Sequence, residues 1–209
     1  MANQRKVGNL LALAVLSYLT QRPMHPYELS RTLRENGDAR SIKFNHGSLY
    51  MVVQQLAKAG FVTPVETSRD GQRPERTVYA LTDSGRAELR DWLRELVEEP
   101  AHEYPRFVAA LSLIAALPPA HVLDLLRRRL GRLEQQRAEI RTLIDGALAQ
   151  GVPGLFLIEE EYRLALLDAE SAFAQRFADQ IADPATDWLP AWAAFHDERR
   201  RTPRERNPT

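Results

Sequence analysis

The sequence predicts a mainly helical protein, with one two-stranded hairpin in its N-terminal half and an all-helical C-terminal half. Three observations carry this. Apolar residues recur at helical spacing in three separate runs before residue 60. Two short β-rich runs, 61–65 and 77–81, then flank the polar turn Arg69-Asp70-Gly71-Gln72-Arg73-Pro74. Beyond Pro105 every run reads as helix.

Leu10, Leu13, Leu16 and Leu19 set a first helix over residues 6–20. Arg5 and Lys6 ahead of it imitate a secretion signal, but no small-x-small cleavage pattern follows. A turn at 21–25 ends this helix. Pro26 suits the first position of a second, which runs through Tyr27, Leu29 and Leu33 and stops near Gly37. Asn45 is a good N-cap for a third helix that ends at Gly60. After the hairpin, Thr82 caps a fourth helix, whose inward face is Leu89, Trp92 or Leu93, and Leu96.

Residues 100–105 read as a linker between prolines. Residues 107–117 are apolar on nearly all sides and are expected to be buried. Pro118-Pro119 breaks the chain. Leu123, Leu126, Leu130, Leu133, Ile140, Ile144 and Ala147 then alternate at spacings of three and four, interrupted only by Arg137. This is close to a coiled-coil seam. Gly151-Val152-Pro153-Gly154 ends it, a further helix covers 155–181, and a tail helix carries Trp188, Trp192 and Phe195. The expected division is a domain over 1–98, a helical domain over 99–197 and a charged, disordered tail over 198–209.

Composition narrows the chemistry. With 44% hydrophobic and 27% charged residues the chain is globular. It has no cysteine, which excludes a disulfide framework, a thiolate metal site and a thiol nucleophile. Net charge is zero, but residues 1–90 hold 13 Lys/Arg against 8 Asp/Glu, and residues 91–209 hold 15 against 20. Such asymmetry hints that the first half meets a polyanion. No run approaches the ~18 apolar residues of a membrane span, so the expectation is a cytoplasmic protein with no membrane partner. The histidines (His25, His46, His102, His121, His196) form no i, i+3 or i+4 pair that would support a metal. No nucleophile motif, phosphate-cradling loop or dinucleotide fingerprint appears, so neither an enzyme nor a cofactor is expected. Glu159-Glu160-Glu161 suits the first turns of a helix, where carboxylates meet the helix dipole. Arg127-Arg128-Arg129 reads as the solvated side of the long helix.

The third helix carries the most chemistry. On a helical wheel Leu49, Val52, Val53, Leu56 and Gly60 gather on the packed side. Gly47, Met51, Gln54 and Lys58 face out, with Tyr50 on the flank. Gly47 lets a backbone approach. Asn45, Ser48 and the first free N–H groups bond phosphates, with His46 nearby and the Tyr50 hydroxyl as a further donor. Gln54 has the paired donor and acceptor of an adenine edge, and Met51 can touch a thymine methyl. An ordinary amphipathic helix would show a similar face. The hairpin tips the balance: Arg69, Arg73 and Arg76 sit where arginines reach phosphates or the minor groove, diluted by Glu66, Asp70 and Glu75. Three helices, a hairpin and a helix make a winged helix-turn-helix with double-stranded DNA as its partner. The alternative is a winged-helix protein-interaction module without a specific DNA target.

Trp188, Trp192 and Phe195 form an i, i+4, i+7 stripe that would either line a pocket for a small aromatic or drug-like effector, or make a core or dimer contact. Tyr104 and Phe107 raise the same question.

The chain resembles the PadR family of bacterial transcription regulators. The matching residues are Met24-His25-Pro26-Tyr27-Glu28-Leu29, Gly47-Ser48-Leu49-Tyr50, Ala59-Gly60-Phe61-Val62, and the run from Arg76 through Tyr79, Leu81 and Thr82 to Gly85. The resemblance is close over residues 7–95 and looser over 100–197. Met51 stands where the family has a proline, and Pro26 where it has a glycine. The resemblance implies a homodimer that represses its promoter and releases DNA when a small molecule binds. Family dimers use the C-terminal helices, with help from the first helix. The seam at 123–147 supports this independently, since it wants a partner; residues 155–181 of the same chain are the other way to fill it. A two-fold dimer would present two recognition helices roughly 34 Å apart, or a multiple, to an inverted-repeat operator.

Overall fold

The structure is a computed structural model that describes residues 5–68 and 76–200, with side chains described over 5–65 and 77–196. The chain divides into two units, Met1–His102 and Glu103–Thr209.

In the first unit, α1 (Leu10–Tyr18) begins four residues later than expected, because the Asn9 side chain caps it by accepting from the Leu11 N–H at 2.9 Å. It is apolar all round and buries Leu11, Val15 and Leu16 completely. Helix α2 (Pro26–Glu35) starts on the anticipated proline and gives way at Gly37, whose φ of 78° suits a glycine. Tyr27 does not join its inner face and is 61% exposed. Helix α3 (His46–Lys58) packs Leu49, Val52, Val53 and Leu56 against α1 and α2.

Strands β1 (Val62–Ser68) and β2 (Arg76–Leu81) pair antiparallel, Val62 opposite Leu81. A bulge falls after Pro64, which has no N–H to give the ladder. Met24 and Tyr79 exchange backbone hydrogen bonds at 3.0 Å in both directions, so the segment before α2 is tied to β2.

Helix α4 (Asp83–Glu98) is docked through its cap. The Thr82 N–H donates to the Phe61 carbonyl at 3.1 Å, and the Thr82 hydroxyl accepts from the Gly85 N–H. A Cβ at Gly85 would lie 2.1 Å from the Phe61 oxygen, so this docking admits only glycine. Leu89 and Trp92 are the inward residues. Leu93 and Leu96 are 44% and 46% exposed, contrary to expectation for Leu96. Arg5 covers Trp92 from outside, its guanidinium 5.3 Å from the ring, and pairs with Glu88 and Glu95.

The second unit opens with α5 (Arg106–Ser112) and a 3-10 turn, Ile114–Ala116. The expected burial of this apolar stretch is corrected: α5 has no buried residue, and Val108 and Leu113 are 59% and 73% exposed. A seven-residue helix that ends at Ser112 and gives way to the 3-10 turn offers one short face for cover. Helix α6 (Pro119–Ala149) runs antiparallel to α7 (Ile158–Ala182), with Gly151 (φ 81°) in the reversal. Within the chain, the seam packs along α7. Leu126, Leu133 and Ile140 are buried, and Leu123, Leu130 and Ile144 half-buried. Arg137, the interruption, hydrogen-bonds Asp168 of α7 at 2.5 Å, and Arg129 pairs with Glu170 at 2.5 Å. Arg129 therefore does not lie on a solvated side. The three glutamates do open α7.

Helix α8 (Leu189–Arg200) extends past residue 198, where a tail was expected to begin. Residues 201–209 lie outside the described residues. Trp192 joins Val122, Leu126, Ala174, Ala178 and Ile181 in the second core.

Candidate nucleic-acid interface

The interface is built from the N-terminus of α3. Asn45 has extended backbone (φ −136°), and its side-chain oxygen accepts from the Ser48 N–H at 2.8 Å. The Ser48 hydroxyl accepts from the Asn45 N–H at 2.9 Å and lies 2.8 Å from the Asn45 carbonyl, to which it donates. This reciprocal capping box fixes where the helix begins. It also alters two expected roles. The Ser48 hydrogen is committed within the chain, so Asn45 and Ser48 position the helix end, and the Asn45 amide nitrogen keeps its donors. The backbone N–H groups of His46 and Gly47 stand ahead of the first intrahelical bond and remain available to an anion.

Down the outer face, Gly47, Met51, Gln54 and Lys58 are all exposed, Met51 by 61%. The Gln54 and Lys58 side chains have no hydrogen-bond or ion-pair partner among the described residues. A Cβ at Gly47 would meet only Asn45 Oδ1, at 3.5 Å, so the fold itself makes no demand for glycine there.

The flank carries a cluster of rings that the linear sequence does not reveal. The His46 and Tyr50 centroids are 4.9 Å apart. The His25 ring meets Tyr50 edge-on at 6.1 Å, and Tyr27 meets His46 at 6.0 Å. The starts of α2 and α3 are thereby held against each other. His25 serves as the α2 cap, its Nδ1 accepting from the Tyr27 N–H at 3.0 Å. One turn further, Glu28 accepts from Arg22, and this bond is the main reason its carboxyl sits below the usual carboxylate range. Lys43, exposed two residues before the cap, has no ion-pair partner among the described residues. The signal for it was a lysine just ahead of an N-cap.

Arg69 and Arg73 lie outside the described residues. Arg76 opens β2, and its side chain lies outside them as well.

The aromatic stripe separates into different roles. Trp192 is 9% exposed, stacks on Phe177 (6.2 Å, 4° between planes) and donates its indole N–H to the Leu117 carbonyl at 3.1 Å. It is a core residue. Trp188 packs at its edge, 5.9 Å away, and Phe195 is 42% exposed. Phe107 lies under the Arg129 guanidinium at 3.7 Å, whereas Tyr104 is 89% exposed.

Residues 15–91 match the Transcriptional regulator PadR-like family. The chain is 26% identical over 148 residues to the negative transcriptional regulator PadR of Bacillus subtilis, covering 70% of this chain and 80% of that protein. The fold is that of two crystal structures of B. subtilis PadR. One, in complex with operator DNA, matches with a TM-score of 0.64 at 22% identity, over 82% of this chain and 97% of that one. The other, in complex with p-coumaric acid, matches with a TM-score of 0.67 at 19% identity, over 87% and 99%.

Proposed function

We propose that the chain is a PadR-like transcriptional regulator, and that it represses transcription as a homodimer whose two α3 helices enter successive major grooves of an inverted-repeat operator. The observation that carries this is the outer face of α3. Gln54 and Lys58 stand exposed without partners among the described residues, on a helix whose start is fixed by a capping box. A presented polar face on a rigid helix is what base readout needs, because the side chains must meet base edges in register. Met51 and Gln54 take base edges. His46, Tyr50, Lys58 and the first N–H groups take phosphates, with Arg69, Arg73 and Arg76 of the wing adding sequence-independent attraction.

The B. subtilis relative has been crystallised both with operator DNA and with p-coumaric acid. These complexes support the further reading that a small molecule releases this chain from its operator. A gel-shift against the chain's own upstream region, repeated over a salt series, tests the proposal. Saturable retardation that weakens steeply with salt is expected. A flat salt dependence would instead favour a winged helix that docks a partner protein.

A further inference from the structure

The geometry points to Met51 as an oxidation-sensitive site, whose conversion to methionine sulfoxide releases the chain from DNA without unfolding it. The effect on DNA rests on the α3 reading proposed above; the modification itself does not. The chain has no cysteine and three methionines, so a two-electron oxidant meets thioether sulfur and no thiol. Met1 lies outside the described residues. The other two methionines are opposites. Met24 is 2% exposed, belongs to the first core and is tied to Tyr79 by backbone hydrogen bonds at 3.0 Å in both directions. Met51 is 61% exposed and lies on the outer face of α3, one turn from Gly47 and one from Gln54. Among the described residues, the one sulfur open to an oxidant is therefore on the face that reads DNA.

Helix α3 meets the core through Leu49, Val52, Val53 and Leu56, and Met51 takes no part in it. Its side chain can change polarity without disturbing the packing. With hydrogen peroxide the sulfur attacks one oxygen. An S–O bond forms, the O–O bond breaks, and the proton of the attacked oxygen moves to the departing one, which leaves as water. Sulfur loses two electrons and the peroxide gains them. An external dithiol reductant reverses the step: its two thiols become a disulfide, and the oxygen leaves as water. The sulfoxide replaces an apolar tip with a strong acceptor oxygen. Against a thymine methyl that oxygen loses its water and gains no donor, whereas the thioether has nothing to lose there. Bound DNA in turn covers the sulfur, so the free chain is the form that an oxidant attacks.

The test treats the full chain with hydrogen peroxide and follows it by peptide mass spectrometry, gel-shift on the chain's own upstream region and circular dichroism melts. Met51 should oxidise at least about tenfold faster than Met24, whose reaction waits on opening of the core. Saturating upstream DNA should slow the reaction at Met51. The oxidised parent should bind that DNA about tenfold more weakly, with a Tm within about 2 °C of the untreated protein. Methionine sulfoxide reductase with dithiothreitol should restore binding. Met51→Leu, whatever its own starting affinity, should lose none of it on treatment, and Met24→Leu should respond as the parent does. Equal rates at Met51 and Met24 overturn the site. Full-strength binding by the oxidised parent, or an equal loss in treated Met51→Leu, overturns the control of DNA. An untreated chain that leaves the upstream DNA unretarded overturns the release together with the α3 reading, and the mass spectra then judge the modification by itself.

Discussion

Replacing Gly85 with alanine places a methyl group 2.1 Å from the Phe61 carbonyl oxygen and 2.7 Å from Leu81 Cδ1. Leu81 can rotate away, but Phe61 O is backbone. It accepts from the Thr82 N–H at 3.1 Å and lies 3.0 Å from the Thr82 hydroxyl. An ordinary contact requires about 1 Å of separation between α4 and the start of β1. That movement stretches the hydrogen bonds that hold the α4 cap, each worth about 1 kcal/mol net. Overpacking adds roughly 1–3 kcal/mol, and alanine's better helix propensity returns at most about 1 kcal/mol. The expected loss is therefore about 2–4 kcal/mol. In a unit of this size each kcal/mol lowers Tm by about 4–8 °C, so the melt of the first unit should fall by at least ~8 °C. Gly47→Ala is the matched control. Its methyl meets a single atom at an ordinary distance, so stability should hold or rise by up to about 1 kcal/mol while operator affinity falls. Thermal melts followed by circular dichroism, with gel-shifts on both variants, decide it. A Gly85→Ala protein that melts within about 2 °C of the parent would refute the argument that this glycine is there for close approach.

Gln54→Ala should relax base preference at one operator position, costing about 1–3 kcal/mol against the preferred base and little elsewhere, as read from affinities for single-base operator variants. Arg73→Ala should weaken every sequence alike and reduce the salt slope of binding by about one unit; a changed base preference would mean the wing, too, reads sequence. Glu28 has a carboxyl pKa held below its ordinary 4.5, chiefly by the Arg22 hydrogen bond. Its contribution is therefore complete above that value and lost as pH falls through the lowered one. Glu28→Gln should cost up to about 1 kcal/mol at neutral pH, by urea midpoint, and the gap to the parent should close in acid.

What could be read along the chain was whatever local chemistry decides. Pro26, Asn45 and Thr82 begin their helices because each satisfies, or never had, an orphan N–H within three residues of itself. The wheel divided α3 correctly for its four buried aliphatics, which at helical spacing leave one face for the core, but Gly60, assigned to the packed side, lies past the end of the helix and is exposed. Burial and partnership were harder to read. Residues 107–117 look like core by composition, yet α5 is too short and too soon interrupted to be covered. Leu93 and Trp92 are adjacent, and only the packing of α4 with Arg5 over its tryptophan chooses between them. The seam of α6 had two geometrically equal partners, and the short reversal at Gly151 brings α7 along it.

The sequence by itself determined the order of elements, the winged arrangement, the caps and the side chains α3 presents outward, because these depend on neighbours within a turn or two. Only the tertiary structure decided that Gly85 answers to Phe61, that His25 and Tyr27 brace His46 and Tyr50, and that Trp192 closes onto Leu117. The physical reason is distance along the chain. These packing contacts join residues 19 to 75 positions apart, and periodicity carries no record of which surfaces will meet.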